Sequence, residues 1–192
     1  MTSQEIFIAI STLLAFISPF FYISAILKGK ARPHRTTRIV LLTITILSTA
    51  SLFAQHNTVA IWLSAVSMLQ SIVIFGFSIK YGMGGWAKLD IACLVIAVVG
   101  IVLWKVTENP AIALYLAILA DFVGMVPALV KTYRMPHTEI WSFFLIDTFA
   151  GVSSLLAVAK WTPEEYSYPL YIMVINFVMV LFILMPRKKH AI

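Results

Sequence analysis

Residues 127–156 read PALVKTYRMPHTEIWSFFLIDTFAGVSSLL. They end one apolar segment, cross a short basic loop and enter a second apolar segment that carries an acid, Asp147. A diverged copy precedes this stretch, because residues 22–54 align without a gap to residues 125–157. Nine of the 33 aligned positions are identical, whereas chance in so apolar a chain gives roughly two or three. The match predicts an internal duplication. The identical pairs are Ala25/Ala128, Lys28/Lys131, Pro33/Pro136, His34/His137, Leu42/Leu145, Thr45/Thr148, Ser51/Ser154, Leu52/Leu155 and Ala54/Ala157.

The composition is that of a polytopic membrane protein. Hydrophobic residues make up 61% of the chain and charged residues 11%, whereas soluble domains have about half and about a quarter. Seven apolar segments are each predicted to cross a hydrocarbon layer of about 30 Å. They lie at residues 6–27, 39–54, 58–79, 89–106, 111–130, 140–159 and 168–185. The fold class predicted is therefore all-α, with seven transmembrane helices.

The positive charges predict the orientation. With the N-terminus outside, 12 of the 14 Lys and Arg residues fall on the cytoplasmic side, as the positive-inside rule requires. Membrane topology thus accounts for the net charge of +6, and a nucleic-acid partner is not expected. The cytoplasmic set is Lys28, Lys30, Arg32, Arg35, Arg38, Lys80, Lys88, Lys131, Arg134, Arg187, Lys188 and Lys189. The outer side receives Lys105, Lys160, Glu5, Glu108, Glu164 and Glu165.

The duplication and the segment count predict the same architecture. A unit of three helices ends on the opposite side of the membrane from its start, so one extra helix is needed before a parallel copy can follow. The chain is therefore predicted to divide into a first repeat at residues 1–80, a loop and linker helix at 81–108, and a second repeat at 109–192. This 3+1+3 plan, with N-terminus out and C-terminus in, is found among transporters of the SWEET type.

Two motifs in the second repeat resemble a known family. The first resembles the signature of the PQ-loop proteins, and the second resembles cystinosin-type members of that superfamily. In those members the acid at the position of Asp147 is implicated in proton coupling, so the resemblance implies the same role here. The first motif consists of Pro127, Lys131, Tyr133, Arg134, Thr138, Glu139 and Ser142. The second consists of Leu145, Ile146, Asp147, Gly151, Ser154, Leu155 and Leu156.

Two acids fall near the middle of predicted helices, Asp147 in the sixth and Asp121 in the fifth. An ionisable residue at that depth costs about 2.5–3.5 kcal/mol on insertion scales, so it usually faces the bundle interior. Small residues at helical spacing flank both acids, which permits close helix packing. We expect both to act in proton coupling; the alternative is a structural, hydrogen-bonded carboxyl group.

Three further residues are candidates for binding or movement. Asn176 lies in the middle of the seventh segment, and Gln70 is its counterpart in the third, offset by three residues from the aligned position. The pair resembles the asparagines that line the sugar site of SWEET-type proteins, and their amides suit a polar neutral or zwitterionic substrate. The alternative is a hydrogen bond between helices. Pro127 removes one backbone hydrogen bond and is predicted to be a hinge, with a static kink as the alternative.

The leading functional prediction is a small-solute transporter working by alternating access, proton-coupled through Asp147, with an amino acid or related zwitterion favoured. The alternatives are a passive SWEET-like sugar facilitator and a non-transporting seven-helix receptor. A retinal protein is excluded because no lysine lies within the seventh segment. No catalytic, metal-binding or phosphate-binding pattern is present, so neither an enzyme nor a cofactor is expected. The expected partners are the substrate, protons and the bilayer, which is the inner membrane if the source is prokaryotic.

Overall fold

The computed structural model describes residues 2–33, 35–82 and 88–185. All regular structure in these ranges is helical, which confirms the all-α class. The helices are α1 (Ser3–Leu27), α2 (Arg35–Ala54), α3 (Ala60–Tyr81), α4 (Lys88–Thr107), α5 (Pro110–Arg134), α6 (Trp141–Leu156) and α7 (Pro163–Leu184), with a 3₁₀ turn at Pro136–Thr138. His34, Arg187, Lys188, Lys189 and the side chain of Pro127 lie outside the described residues.

Five of the described helices are long and apolar enough to cross a membrane: α1, Thr37–Ala54 within α2, α3, α5 and α7. This agrees with an integral membrane protein. The helix α6 is apolar but has 16 residues, and at 1.5 Å per residue it spans about 24 Å, less than the hydrocarbon layer. The sixth segment was predicted to reach residue 159; the helix ends earlier because the chain tightens, with Val158 N–H bonded to the Leu155 carbonyl. The seven-span count and the orientation stay predictions.

Local sequence explains where the helices begin and end. Thr2 and Glu5 form a reciprocal capping box at the start of α1, which satisfies two backbone donors. After α1, Gly29 adopts a positive φ of 68°, and Lys30 N–H bonds the Ala25 carbonyl at 2.8 Å. This is the Schellman arrangement, and glycine adopts its left-handed backbone without a steric penalty. Asn109 accepts from Ala111 N–H to begin α5.

Six of the described helices form a closed ring in the order α1, α3, α2, α5, α7, α6, each packed against the next. The helix α3 also contacts α7, and α4 packs against α5 and α2. Exchanging α1, α2 and α3 with α5, α6 and α7 leaves the order of the ring unchanged. Two copies of one three-helix unit related by a two-fold axis produce such an order. The repeat boundaries at residues 80 and 109 stay a prediction, because neighbour order does not measure superposition.

The bundle has two distinct ends. The basic end comprises the α1–α2 connection, the C-terminal end of α3 and the C-terminal end of α5; Lys131 Nζ there donates to the Arg32 carbonyl at 3.1 Å. The opposite end comprises the α2–α3 and α6–α7 connections, where Asn57 Nδ2 donates to the Glu164 carbonyl at 3.5 Å. Between these two connections lies an apolar cluster. Its members are Val59, Ala157 and Val158, with Phe7, Ile8 and Tyr166 packed against them.

Candidate functional site

The ring encloses a cavity of about 270 Å³. Four of the five residues predicted for the site line it: Asp147, Asp121, Gln70 and Asn176. Its lining also includes basic-end residues, whereas none of the apolar cluster at the opposite end belongs to it. The described part of the chain thus has a largely apolar cavity, with a few polar and charged side chains in its wall, that reaches from the middle of the bundle toward the basic end.

Asp147 is positioned by a chain of contacts that begins at a proline in α1. Pro19 lies inside that helix and has no N–H for the Ala15 carbonyl. The Ser18 hydroxyl donates to that carbonyl at 3.3 Å, so its oxygen is turned to accept from Gln70 Nε2 at 3.0 Å. The same Gln70 nitrogen donates to Asp147 Oδ2 at 3.0 Å. One hydrogen of the Gln70 amide therefore anchors Gln70 to Ser18, and the other is donated to Asp147 and orients its carboxyl group.

The other oxygen of Asp147 is unsatisfied. The residue is 8% exposed, and its Oδ1 is buried without a hydrogen-bond partner among the described residues. An unpartnered buried oxygen on a charged carboxylate is unfavourable. Protonation, or a donor on a bound solute, would satisfy it, so this atom has the chemistry for either proton or ligand binding.

The predicted small-residue face of α6 packs closely against its neighbours. A Cβ built on Gly151 would lie 2.8 Å from the Met173 backbone nitrogen, so the backbones of α6 and α7 touch there. Ala150 is fully buried, and its carbonyl accepts from the Ser11 hydroxyl of α1 at 2.8 Å. Small residues permit this approach, and it holds the helix of Asp147 between α1 and α7.

Asp121 and Asn176 reach the same cavity from α5 and α7. The Tyr171 hydroxyl of α7 donates to Asp121 Oδ2. Asn176 Nδ2 donates at 2.8 Å to the Ile172 carbonyl one turn earlier in its own helix. Gln70 and Asn176 were predicted as a matched pair, and they do share the cavity. Their hydrogen bonds differ, because Gln70 donates to Asp147 and Ser18 whereas Asn176 donates to its own helix backbone.

Four side chains at the basic end form a polar network that connects the two halves of the ring. Lys131 of α5 forms an ion pair with Glu139 at 2.9 Å. Glu139 Oε2 accepts at 3.1 Å from the Tyr22 hydroxyl of α1. That hydroxyl in turn accepts at 3.0 Å from Arg38 Nη2 of α2. Tyr22 is completely buried and stacks on Phe143, with ring centroids 4.6 Å apart.

The sequence missed the role of this network. From the sequence, Arg38 and Lys131 were interpreted only as cytoplasmic cations that set the orientation of the protein in the membrane. Glu139 was noted only as part of the motif that resembles PQ-loop proteins. The signal available was the pairing of Lys131 with Glu139 eight residues later, across a loop containing Pro136. Nothing local pointed to Tyr22, whose partner Glu139 is 117 residues away.

Two other predictions have a limited outcome. The backbone of α5 continues through position 127 as helix, but the side chain of Pro127 is outside the description, so the hinge stays a prediction. Among the side chains that the structure describes, no group of three His, Cys, Asp or Glu is arranged to hold a metal ion.

No protein-family model matches the chain, and no curated protein is significantly similar to it. The resemblance to PQ-loop proteins therefore stays a prediction based on the quoted motifs.

Proposed function

We propose that the protein transports a small polar solute by alternating access, with proton coupling through Asp147, and that the solute is an amino acid or related zwitterion. The observation that carries this proposal is the position of Asp147, which lines the cavity between the two halves of the ring. Its Oδ2 accepts a hydrogen bond from Gln70, and its Oδ1 has no hydrogen-bond partner within bonding distance among the described residues.

The arrangement of the ring supports alternating access. Contacts between the two trios of helices occur mainly along α1 with α6 and α2 with α5, and a rocking motion of one trio against the other would pivot along these two seams. The cavity lies between them, and transporters built from repeats bind substrate at such an interface. Rocking would open one end of the cavity as the other closes.

A coupling acid is energetically useful in a carrier of this size. One charge moved through about 100 mV gains about 2.3 kcal/mol. At about 1.36 kcal/mol for each tenfold ratio, a single proton sustains roughly a fifty-fold solute gradient. A passive facilitator needs no such acid, so the proton dependence of transport separates the two alternatives.

The size of the cavity favours a small solute over a large one. Its volume of about 270 Å³ lies just below the range of about 300–1,000 Å³ of pockets for drug-sized ligands. A receptor for a peptide needs a longer groove. The amide groups favour a sugar less than the sequence suggested, because both hydrogens of the Gln70 amide are already donated inside the protein.

The proposal is tested by uptake into proteoliposomes. A thermal-shift screen of amino acids, sugars and vitamins on the purified protein first supplies a ligand, because a ligand stabilises the state it binds. Uptake of that ligand is then measured with and without an imposed proton gradient. In Asp147→Asn, gradient-driven accumulation should be lost while exchange of labelled for unlabelled solute persists in part, because the amide mimics the protonated acid and its oxygen still accepts a hydrogen bond.

Two controls make the result specific to Asp147. Glu108→Gln neutralises an exposed acid and should leave accumulation unchanged. Asp121→Asn removes the second acid of the cavity and shows whether it shares the coupling. Accumulation by Asp147→Asn equal to that of the unaltered protein would refute coupling through this residue, and a protein that catalyses no exchange of any screened ligand would refute transport.

A further inference from the structure

Arg38 is a cationic side chain in the wall of the cavity to which the proposed function assigns no role. Arg38 lies in the first turns of α2, is half-buried and lines the cavity. Within the described residues its guanidinium donates from Nη2 to the Tyr22 hydroxyl, and no carboxylate lies within 4.0 Å of it. A guanidinium has five N–H donors in a planar fork, so Arg38 retains capacity for an anionic ligand.

The other cations around the cavity are differently placed. Lys131 is neutralised by Glu139 at 2.9 Å. Arg32 is exposed, so water is available to its charge. Arg38 alone among these three combines partial burial with the absence of a close carboxylate in the described chain. A partly buried charge is costly unless it is paired. An anionic group on the solute would therefore stabilise Arg38 more than it would stabilise Lys131 or Arg32.

Two acidic side chains, Asp121 and Asp147, line the same cavity as Arg38. Arg38 interacts electrostatically with both Asp121 and Asp147, yet forms an ion pair with neither. Asp147 Oδ1 has no partner among the described residues. The cavity is thus lined by a positive group toward the basic end and by a carboxylate deeper in the bundle.

We propose that Arg38 binds the carboxylate of an amino-acid-type zwitterion, whose ammonium group is directed toward Asp147. The inference rests on the proposed function and deepens it by assigning a second binding residue and an orientation. Guanidinium and carboxylate match in a two-pronged, charge-assisted contact, and Tyr22 holds the guanidinium by its hydroxyl. The ammonium group supplies donors to Asp147 Oδ1.

Other solute classes fit this charge arrangement less well. A neutral sugar leaves both charged groups unpaired. A dianion places negative charge beside Asp121 and Asp147, and a simple amine leaves Arg38 without a partner. A zwitterion offers an opposite charge to each of the two groups, and an amino acid is small enough for a cavity of about 270 Å³.

The test compares amino acids with the amines that lack only the carboxylate. Binding to the full chain in detergent is measured by thermal shift for L-leucine, L-serine, L-lysine and L-histidine. Their counterparts are 3-methylbutylamine, ethanolamine, cadaverine and histamine, and glucose and sucrose are included as neutral solutes. At least one amino acid should bind roughly 10- to 100-fold more tightly than its amine, the range expected for losing a charge-assisted contact. Arg38→Gln should abolish that difference by weakening the amino acid alone.

Matched variants control for folding. Arg35→Gln lies one turn earlier on α2, where its side chain donates to the Ser78 carbonyl and does not line the cavity; it should bind as the unaltered protein does. Arg38→Lys keeps the charge without the fork and should fall between the two. A monodisperse Arg38→Gln sample that still binds the amine shows that the cavity is intact.

Several outcomes would overturn the assignment. They are equal binding of an amino acid and its amine by the unaltered protein, full amino-acid binding by Arg38→Gln, and stabilisation by the sugars alone. In the last case the proposal of solute transport would stand, but the proposal that Arg38 binds the carboxylate of a zwitterion would be wrong. If exchange assays detect movement of none of these solutes, the proposed function fails with it.

Discussion

The two ends of the bundle are joined by different kinds of contact. At the basic end, Lys131, Glu139, Tyr22 and Arg38 form a network of one ion pair and two hydrogen bonds. At the opposite end, Val59, Ala157 and Val158 form an apolar cluster, with a long hydrogen bond of 3.5 Å from Asn57 beside it. Both sets of contacts join the first three helices to the last three.

The difference explains why the cavity extends toward one end of the bundle and not toward the other. At the polar end, water or a charged solute can replace a lost partner at little net cost, because the hydrogen bonds are regained elsewhere; a mutation that leaves a buried charge without any partner is costly instead. Apolar contacts have no such replacement, so separating them costs roughly in proportion to area. The cavity extends to the polar end, where a solute can replace a protein contact. The four predictions that follow test this contrast, from the largest effect to the smallest.

The largest contrast is accessibility from the two sides of the membrane. In a background with the single cysteine replaced, Lys88→Cys at the basic end and Lys160→Cys at the opposite end should respond oppositely to an impermeant thiol reagent. Intact cells should label position 160 and leave position 88 unlabelled, because positive charges are retained in the cytoplasm. Labelling at both positions after permeabilisation is the control. External labelling at position 88 would end the seven-span, N-out prediction.

Breaking the ion pair should produce the largest change in stability. Lys131→Ala leaves Glu139, which has 6% of its side chain exposed, without its cation. We expect the free energy of unfolding to fall by about 3–5 kcal/mol, measured by SDS titration in mixed micelles. Replacing both partners, as Lys131→Met with Glu139→Leu, should recover most of the loss. Arg134→Ala, at an exposed position in the same helix, should change little; a loss equal to that of Lys131→Ala would argue against the buried pair.

A smaller loss is expected where α6 and α7 meet within one half. In Gly151→Ala the new Cβ meets the Met173 backbone at 2.8 Å, and overpacking of this kind costs about 1–3 kcal/mol. Gly76→Ala adds the same atom where nothing lies within 4 Å. There the lower backbone entropy of alanine should give a gain of about 0.5–1 kcal/mol. The same SDS titration measures both, and equal changes would show that the two helix backbones are not in contact.

The smallest loss should come from the apolar end. Val59→Ala removes two methyl groups from a residue that is 2% exposed. At about 0.8 kcal/mol for each carbon, the cost is about 1.6 kcal/mol of unfolding free energy. Val106→Ala makes the same change at a residue 75% exposed, and its effect should stay within about 0.5 kcal/mol. A larger loss at position 106 than at 59 would contradict the sealing role of the cluster.

Much of the candidate site could be predicted from the sequence because membranes make polar residues expensive. Asp147, Asp121, Gln70 and Asn176 stand out as polar groups within apolar segments, and the interior is where such groups are stable. All four do line one cavity. Their partners could not be predicted in the same way, because Gln70 and Asp147 are separated by 77 positions along the chain.

The sequence by itself determined the helical class, the apolar segments and the concentration of basic residues in particular loops. These depend on local properties, namely apolarity over about 20 residues, capping residues and charge. Only the tertiary structure decided that Arg38 turns into the cavity while Arg35, one turn earlier, bonds to the Ser78 carbonyl. It also decided that Pro19, through Ser18 and Gln70, orients Asp147. The physical reason is that such contacts join residues far apart in sequence, and the packing of helices selects them.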